Sequence, residues 1–141
     1  MKTIRVVVAD DHAVMRMGIV NLFNRQPDIE VIGEAKNGKE ALELIQETSP
    51  DIIVLDMQMP IMDGVEVAMA LRKMNSPVKI LAFSAFDEKY YIISLLELGA
   101  AGYLTKDEDP SMLVKAVRGI ASGERGWLSP SVADAIHRDL K

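Results

Sequence analysis

Apolar runs alternate with amphipathic stretches five times along this chain, and no other feature of the sequence limits the fold as strongly. The apolar runs are continuous rather than strictly alternating, which is typical of strands whose two faces are both covered by helices. Strands are therefore predicted at 3–9, 29–35, 52–55, 78–83 and 102–104. Helices between consecutive strands imply right-handed crossovers, so we predict a single α/β domain built on a parallel sheet.

The predicted helices between these strands have recognisable ends. Asn37 is followed three residues later by Glu40, and Asp63 by Glu66, which is the sequence pattern of a reciprocal helix cap. Such a cap satisfies an unpaired backbone N–H and contributes about 1 kcal/mol. Gly99 follows an apolar helical stretch and predicts its end.

Composition excludes several classes of protein. The chain has 141 residues, of which 49% are hydrophobic, which suits one compact domain with a short extension. A formal net charge of −5 gives no basic field for nucleic acid, and the lack of cysteine excludes disulfides and thiolate metal sites. No apolar run approaches the roughly 18 residues of a membrane span, and the N-terminal run is too short for a signal peptide. We therefore expect a cytoplasmic protein with no membrane partner.

Polar side chains close four of the five apolar runs. The acidic pair Asp10-Asp11 follows the first run, Asp56 the third, Ser84 the fourth and Lys106 the fifth. Because the carboxyl ends of parallel strands share one edge of a sheet, these side chains are expected to meet in one crevice. The sequence thus predicts three carboxylates, a hydroxyl and an ammonium in a single site.

This set of groups suits a divalent cation and a phosphoryl group. Three neighbouring carboxylates repel one another, and Mg²⁺, which prefers oxygen ligands, removes that penalty. A lysine and a serine can hold the charged oxygens of a transferring phosphoryl group. A carboxylate can itself be the nucleophile, and Asp56, on the central strand, is best placed for that role. The turn after it would hold the carbonyl of Gln58 near the ion.

On these residues the chain resembles the response-regulator receiver domain, the phosphoacceptor half of a two-component system. The resemblance covers about residues 3–122, and the segments GYLTKD and GERGWLSP are similar to the NarL/FixJ (LuxR-type) subfamily. The residues that carry it, in order and at the family's spacing, are Asp10, Asp11, Asp56, Met59, Pro60, Asp63, Gly64, Ser84, Ala85, Tyr103 and Lys106.

The resemblance implies a fold and a set of ligands. The fold is a doubly wound (βα)5, flavodoxin-like sheet with strand order 2-1-3-4-5 and helices on both faces. A sensor histidine kinase would phosphorylate Asp56. Magnesium would be bound directly by Asp11, Asp56 and the Gln58 carbonyl, and through water by Asp10. Such a domain is a signalling domain with self-catalysed phosphotransfer and autodephosphorylation rather than an enzyme.

The resemblance also implies a switch. Lys106 would pair with the phosphoryl oxygens, Ser84 would move to bond them, and Tyr103 would rotate inward into the vacated space. The surface of helix 4, strand 5 and helix 5 would change, and phosphorylation would favour a homodimer through that surface or through helices 1 and 5. Gln58 and Phe86 border the path of the hydrolytic water in this resemblance, so we predict that the bulky Phe86 slows autodephosphorylation.

The tail has a different composition from the rest of the chain. Residues 1–122 are predicted as the receiver domain, and 123–141 as a linker with a short helix over 129–140 that is opened by Ser129-Pro130. Trp127 is expected to cover the fifth helix or a neighbouring domain. Subfamily members usually carry a C-terminal helix-turn-helix, so an output domain absent from this chain, through which DNA would be contacted, is favoured over a stand-alone receiver.

Three other functions fit the sequence less well than the receiver. A haloacid-dehalogenase-type phosphatase would need its nucleophile after the first strand and a second Asp two residues later, where this chain has His12. A flavin-binding module would need a hydroxyl- and glycine-rich phosphate loop after that strand, but DDHAVMR is acidic. A degenerate receiver would act as a protein-interaction module without phosphorylation, and the complete acidic set argues against it.

Some of these residues also have purely structural interpretations. Asp10-Asp11 could simply cap the first helix, and Tyr103 could be an ordinary core residue. His12 and His137 have no second ligand at metal spacing, so both are predicted to be solvated helix residues without a metal.

Overall fold

The computed structural model describes residues 2–137 of the chain. Its strands are β1 Ile4–Ala9, β2 Ile29–Ala35, β3 Ile52–Leu55, β4 Lys79–Ser84, β5 Gly102–Thr105 and β6 Trp127–Leu128. Its helices are α1 Ala13–Asn24, α2 Gly38–Thr48, α3 Gly64–Lys73, α4 Lys89–Glu97, α5 Pro110–Ala121 and α6 Pro130–His137.

The strands form one parallel sheet in the order β2-β1-β3-β4-β5-β6. The predicted order of the first five strands and the helices on both faces are confirmed. Alternate strand residues enter two separate cores: Val7 and Ile53 lie under α2, α3 and α4, whereas Val6 and Ile52 lie under α1 and α5. Both faces of the sheet are therefore covered by helices, which explains why its strands are continuous apolar runs.

The predicted helix ends are present, with one difference. Asp63 and Glu66 form the complete reciprocal cap of α3. Asn37 caps α2 by accepting a hydrogen bond from the Glu40 N–H, but the Glu40 carboxylate accepts from the Lys36 N–H instead of returning to Asn37. The residue after the C-cap of α4 has a left-handed backbone, φ +93° at Gly99, as the sequence predicts.

The stretch predicted as a linker adds a strand and a helix that pack on the sheet. Ser129, at the end of β6, is buried, its hydroxyl accepts from the Thr105 N–H at 2.8 Å, and its own N–H donates to the Tyr103 carbonyl at 3.2 Å. Val132 of α6 is fully buried in the core shared with α4. A two-residue strand has too few side chains to show a period, so β6 has no signature in the sequence.

Trp127 covers α5, as predicted. A Cβ added at Gly119 of α5 would lie 2.6 Å from the indole ring, which therefore rests directly on the helix backbone. The indole N–H donates to the Glu124 carboxylate at 3.1 Å. α6 occupies the place of the predicted short helix, and its predicted last residues, 138–140, lie outside the described residues.

Membrane-spanning helices are absent from residues 2–137, since none of the helices described there combines the necessary length and apolar character. The cytoplasmic location stays a prediction.

The close packing of β6 on β5 can be tested with a pair of glycine substitutions. A Cβ at Gly102 would lie 2.6 Å from the Trp127 carbonyl oxygen, so Gly102→Ala should destabilise the fold by about 1–3 kcal/mol through overpacking. Gly18, inside α1, has open space around the corresponding position, so Gly18→Ala should stabilise the fold by about 0.5–1 kcal/mol. Urea unfolding followed by Trp127 fluorescence would measure both, and a Gly102→Ala variant as stable as the wild type would contradict the packing of β6.

Candidate functional site

The predicted polar residues meet at the carboxyl edge of the sheet. Asp10, Asp56 and Lys106 each follow the last residue of β1, β3 and β5, and Ser84 is the last residue of β4. Sheet hydrogen bonding continues into these residues, since the Asp56 N–H donates to the Ala9 carbonyl at 3.0 Å and the Lys106 N–H to the Ser84 carbonyl at 2.9 Å. The ladder therefore fixes the backbone of the site, with Asp56 on the strand between β1 and β4.

Two buried carboxylates share one lysine. The Lys106 ammonium lies 2.8 Å from Asp10 Oδ2 and 3.3 Å from Asp56 Oδ2. Asp10 is 1% exposed and Asp56 is 3% exposed. Their other oxygens accept backbone hydrogen bonds, Asp56 Oδ1 from the Met57 N–H at 2.8 Å and Asp10 Oδ1 from the His12 N–H at 2.9 Å.

His12 lies beside the same group of side chains, at the N-cap position of α1 rather than within the helix. Its side chain is 69% exposed, but Nδ1 lies 3.2 Å from Asp11 Oδ1 and 3.4 Å from Asp10 Oδ1. One ligand atom from each of Asp10, Asp11, His12 and Asp56 lies within 4.8 Å of the others. The spacing of residues along a helix could not indicate this arrangement, because His12 precedes α1. Its ring contacts the two aspartates directly before it in the chain.

The aspartates do not serve as the cap of α1. The N-cap residue of that helix is His12, and its side chain makes no capping hydrogen bond. The structural interpretation of Asp10-Asp11 as merely a helix cap is therefore wrong. The acidic pair is instead directed towards Asp56 and Lys106.

The residues present fit a divalent cation. Asp10 Oδ2 is buried, and its charged neighbour is the Lys106 ammonium, 2.8 Å away. One ammonium neutralises one of the three carboxylates, and the excess negative charge lies in a mostly buried place. An ion that prefers oxygen ligands would remove the like-charge repulsion. The acidic cluster is thus a group that could hold a metal.

The loop after Asp56 is tightly packed. The Gly64 N–H, at the start of α3, donates to the Met57 carbonyl at 2.9 Å, and a Cβ at Gly64 would lie 2.5 Å from the Asp56 carbonyl oxygen. Only glycine lets α3 begin this close to the site. Gln58 lies in this loop with its side chain exposed, and the role of its carbonyl as an ion ligand stays a prediction.

Ser84 and Tyr103 lie under the loop that follows β4. Ser84 is fully buried and its hydroxyl accepts from the Phe86 N–H at 3.1 Å. Tyr103 is also fully buried and its hydroxyl donates to the Phe86 carbonyl. Burial raises the pKa of Tyr103 above its usual range, so this hydroxyl is neutral. Tyr103 thus lies inward in this structure, packed as a core residue, and its rotation as a switch stays a prediction.

An aromatic pair borders the exposed side of the site. The Phe86 and Tyr91 rings lie 6.1 Å apart between centroids, and the Gln58 amide donates to the Tyr91 hydroxyl at a long 3.5 Å. The family resemblance implied that Gln58 and Phe86 border a water path, but Tyr91 was not among the predicted site residues. Its place in this rim depends on how the loop after β4 folds, for which the sequence offers no pattern.

Comparison with known proteins gives the same family as the residues of the site. The family described as "Response regulator receiver domain" matches residues 6–118. The chain belongs to this family. The receiver domain is similar to a two-component response regulator of the LuxR family from Aurantimonas sp. SI85-9A1, with a TM-score of 0.91 and 34% identity over 99% of this chain and all of that one.

Regulators named NarL are among the relatives of this receiver domain. It is 41% identical over 138 residues to the "Probable transcriptional regulatory protein NarL" of Mycobacterium tuberculosis, covering 98% of this chain and 63% of that protein. It is 40% identical over 119 residues to the nitrate/nitrite response regulator protein NarL of Escherichia coli, covering 84% of this chain and 55% of that protein. The chain therefore spans less than two thirds of these relatives, and the predicted NarL-type receiver is confirmed.

Burial of the charged Asp56 carboxylate opposes folding of the metal-free receiver domain. Burial raises the pKa of Asp56, and the neighbouring Asp10 carboxylate adds to this, while Lys106 and the Met57 N–H act in the opposite direction without cancelling it. Asp56 in the unfolded chain therefore ionises first as the pH rises. The folded protein therefore loses stability as the pH rises from the pKa of Asp56 in the unfolded chain to its raised pKa in the folded chain.

Asp56→Asn should consequently stabilise the metal-free receiver domain near neutral pH. The amide keeps the shape of the side chain and removes a buried charge, so we expect a gain of roughly 1 kcal/mol, or about 3 °C in Tm. Thermal unfolding in EDTA at pH 7 would measure it, and the gain should shrink at pH 4. Asp107→Asn, at an exposed position beside Lys106, is the control and should leave Tm unchanged; equal shifts in the two variants would contradict the argument.

Proposed function

We propose that this receiver domain accepts a phosphoryl group on Asp56 from the phosphohistidine of a sensor histidine kinase. A carboxylate oxygen of Asp56 attacks phosphorus, the bond between phosphorus and the imidazole nitrogen breaks, and the electron pair returns to the kinase histidine. The observation that carries this proposal is the nearly buried Asp56 carboxylate at the end of the central strand, 3.3 Å from the Lys106 ammonium.

The surrounding residues have defined roles in this proposal. Asp11, Asp56 and the Gln58 carbonyl would hold Mg²⁺ directly, and Asp10 would hold it through water. The bound ion would supply positive charge that offsets the like-charged carboxylates and the phosphoryl oxygens. Lys106 already lies between the two buried carboxylates and can follow the negative charge as it moves onto the phosphoryl group.

The switch involves Ser84 and Tyr103. The Ser84 hydroxyl would leave the Phe86 N–H to donate to a phosphoryl oxygen, since a phosphate adds strong acceptors and negative charge. Tyr103, whose hydroxyl is held by the Phe86 carbonyl, would keep the loop after β4 in the arrangement that follows. Phosphorylation would therefore shift a population between two packings of this loop and α4.

The signal would leave the domain through its C-terminal segment. β5 carries Tyr103 and precedes Lys106, and the same strand holds Ser129 through two hydrogen bonds. α6 packs against α4 and β5. A change in α4 or β5 would therefore shift α6. We propose that α6 leads to an output domain and that this domain is a DNA-binding helix-turn-helix. Phosphorylation would also favour a homodimer.

The proposal is tested by incubating the protein with acetyl phosphate, with and without Mg²⁺, and measuring intact mass. We expect a single magnesium-dependent phosphate adduct in the wild type and none in Asp56→Asn. Lys106→Ala should slow formation of the adduct by roughly a hundredfold, because the variant lacks the positive charge that stabilises the negative charge of the transition state. Lys115→Ala, at an exposed position on α5, is the matched control and should behave as the wild type.

The same experiment decides between an active and a degenerate receiver. If acetyl phosphate and a panel of sensor kinases all fail to give an adduct on the folded wild type, a protein-interaction module without phosphorylation is the better description. An adduct that persists in Asp56→Asn would place the phosphoacceptor elsewhere.

Phe86 should slow the loss of the phosphoryl group. Its half-buried ring packs against Tyr91 beside Gln58, at the rim by which a hydrolytic water would enter. Phe86→Ala should raise the autodephosphorylation rate severalfold, because removing the ring opens the path of water to the phosphoryl group. This corresponds to a fall of about 1 kcal/mol in the activation free energy. Tyr90→Ala removes an exposed ring that contacts the same Tyr91 and is the control. Decay of the phosphoprotein followed by mass spectrometry is the measurement, and an unchanged rate in Phe86→Ala would refute the role.

A further inference from the structure

The guanidinium of Arg16 joins the first turn of α1 to the ends of two strands. Its Nη1 donates to the backbone carbonyl of Asp10 at 2.6 Å, and its Nε donates to the Glu34 carboxylate at 3.2 Å. The side chain is only 18% exposed. Side chains of a helix lean towards its N-terminus, so a residue one turn into α1 covers the turn that precedes the helix. Arg16 therefore lies over the connection between β1 and α1.

The hydrogen bond from Arg16 takes the place of a strand partner. The Asp10 N–H still belongs to the sheet and donates to the Ala35 carbonyl at 3.0 Å. The two strands beside β1 end at Ala35 and Leu55, so the ladder does not continue to the Asp10 carbonyl. Asp10 is buried, and a buried carbonyl requires a donor. The Arg16 guanidinium supplies that donor, so both backbone polar groups of Asp10 are held.

This hydrogen bond also acts on Asp11. The peptide bond between Asp10 and Asp11 is planar, so the direction of the Asp10 carbonyl fixes where the Cα of Asp11 lies. The Asp11 side chain is 32% exposed, so the core does little to hold it. Its direction therefore depends on the backbone before it, which Arg16 holds.

The charge of Arg16 and its hydrogen bond to Asp10 would affect the site in opposite directions. A cation beside an acidic site disfavours a second cation, so loss of the charge alone would strengthen the binding of Mg²⁺. Loss of the hydrogen bond would free the peptide that carries Asp11 and would weaken the binding. Residues that orient metal ligands typically contribute about 10–100-fold to affinity. The sign of the change therefore separates the two effects.

We propose that Arg16 is a positioning residue of the receiver site, which holds the Asp11 carboxylate in place before a phosphoryl group arrives. The inference rests on the proposed function and adds to it a residue that donates to a backbone carbonyl rather than to a carboxylate of the site. Glu34 holds the other side of the guanidinium and supports the same arrangement from β2. A lysine would replace the arginine only in part, because a guanidinium donates in two fixed directions.

The test is the Mg²⁺ dependence of phosphorylation by acetyl phosphate, followed by intact mass. In Arg16→Gln, the Mg²⁺ concentration that gives half the maximal rate should rise by about tenfold, while the rate at saturating Mg²⁺ should stay within about twofold of the wild type. Arg16→Lys and Glu34→Ala should give smaller rises. In EDTA, the amide nitrogen resonance of Asp11 should shift in Arg16→Gln, because the carbonyl of the same peptide loses a hydrogen bond.

Arg5→Gln is the matched control. Arg5 also donates a guanidinium hydrogen bond to a backbone carbonyl, that of Ser49 at 2.9 Å, but it lies near the start of β1, at the other edge of the sheet. Its loss should leave both the Mg²⁺ requirement and the Asp11 resonance unchanged.

The outcomes are distinct. A raised Mg²⁺ requirement with a shifted Asp11 resonance in Arg16→Gln, and neither change in Arg5→Gln, supports the proposal. An unchanged or lowered Mg²⁺ requirement in folded Arg16→Gln, or an equal rise in Arg5→Gln, overturns it and leaves Asp56 as the phosphoacceptor. A wild type that gives no adduct refutes the proposed function instead, and the Asp11 resonance in EDTA then decides whether Arg16 holds this turn.

Discussion

Two buried carboxylates that share a single ammonium form the interaction on which the rest of this molecule depends. Asp10 and Asp56 are brought together because β1 and β3 are neighbours, and Lys106 reaches both from the end of β5. The sheet ladder holds their backbones in place, so the charges do not separate to relieve their repulsion. Packing in the two cores therefore holds Asp56 in a buried position that is unfavourable for its charged form, and such local conflicts are common at functional sites.

Strand β5 connects this site with the remainder of the chain. Lys106 follows it, Tyr103 lies within it, and its outer edge is paired with β6. Two hydrogen bonds join Ser129 to this four-residue strand: the Ser129 N–H donates to the Tyr103 carbonyl, and the Ser129 hydroxyl accepts from the Thr105 N–H. The two ends of such a short strand should move together, which suits the route from Asp56 to an output domain that we propose.

The loops at the carboxyl edge of the sheet decide the chemistry that this arrangement can perform. Gly64 brings the start of α3 close to Asp56, and the loop after β4 places Phe86 over Ser84 and Tyr103. The turn into α1 places the His12 ring beside Asp10 and Asp11. The fold supplies the common position of the carboxylates, and in the function that we propose these loop residues control the access of water and the lifetime of the phosphorylated state.

Most of the fold and the central residues of the site could be predicted from the sequence, because both follow from local patterns. Continuous apolar runs mark strands buried on both faces, and polar residues at their ends must share an edge, so the sequence alone was enough to assign Asp10, Asp56, Ser84 and Lys106 to one site. Tertiary structure decided the features without a local pattern. A strand as short as β6 is defined only by its pairing with β5, and the ring of His12 reaches the acids only because of how the chain enters α1. Hydrophobic periodicity is a property of the chain, whereas the direction of a loop side chain is fixed by the surfaces that surround it.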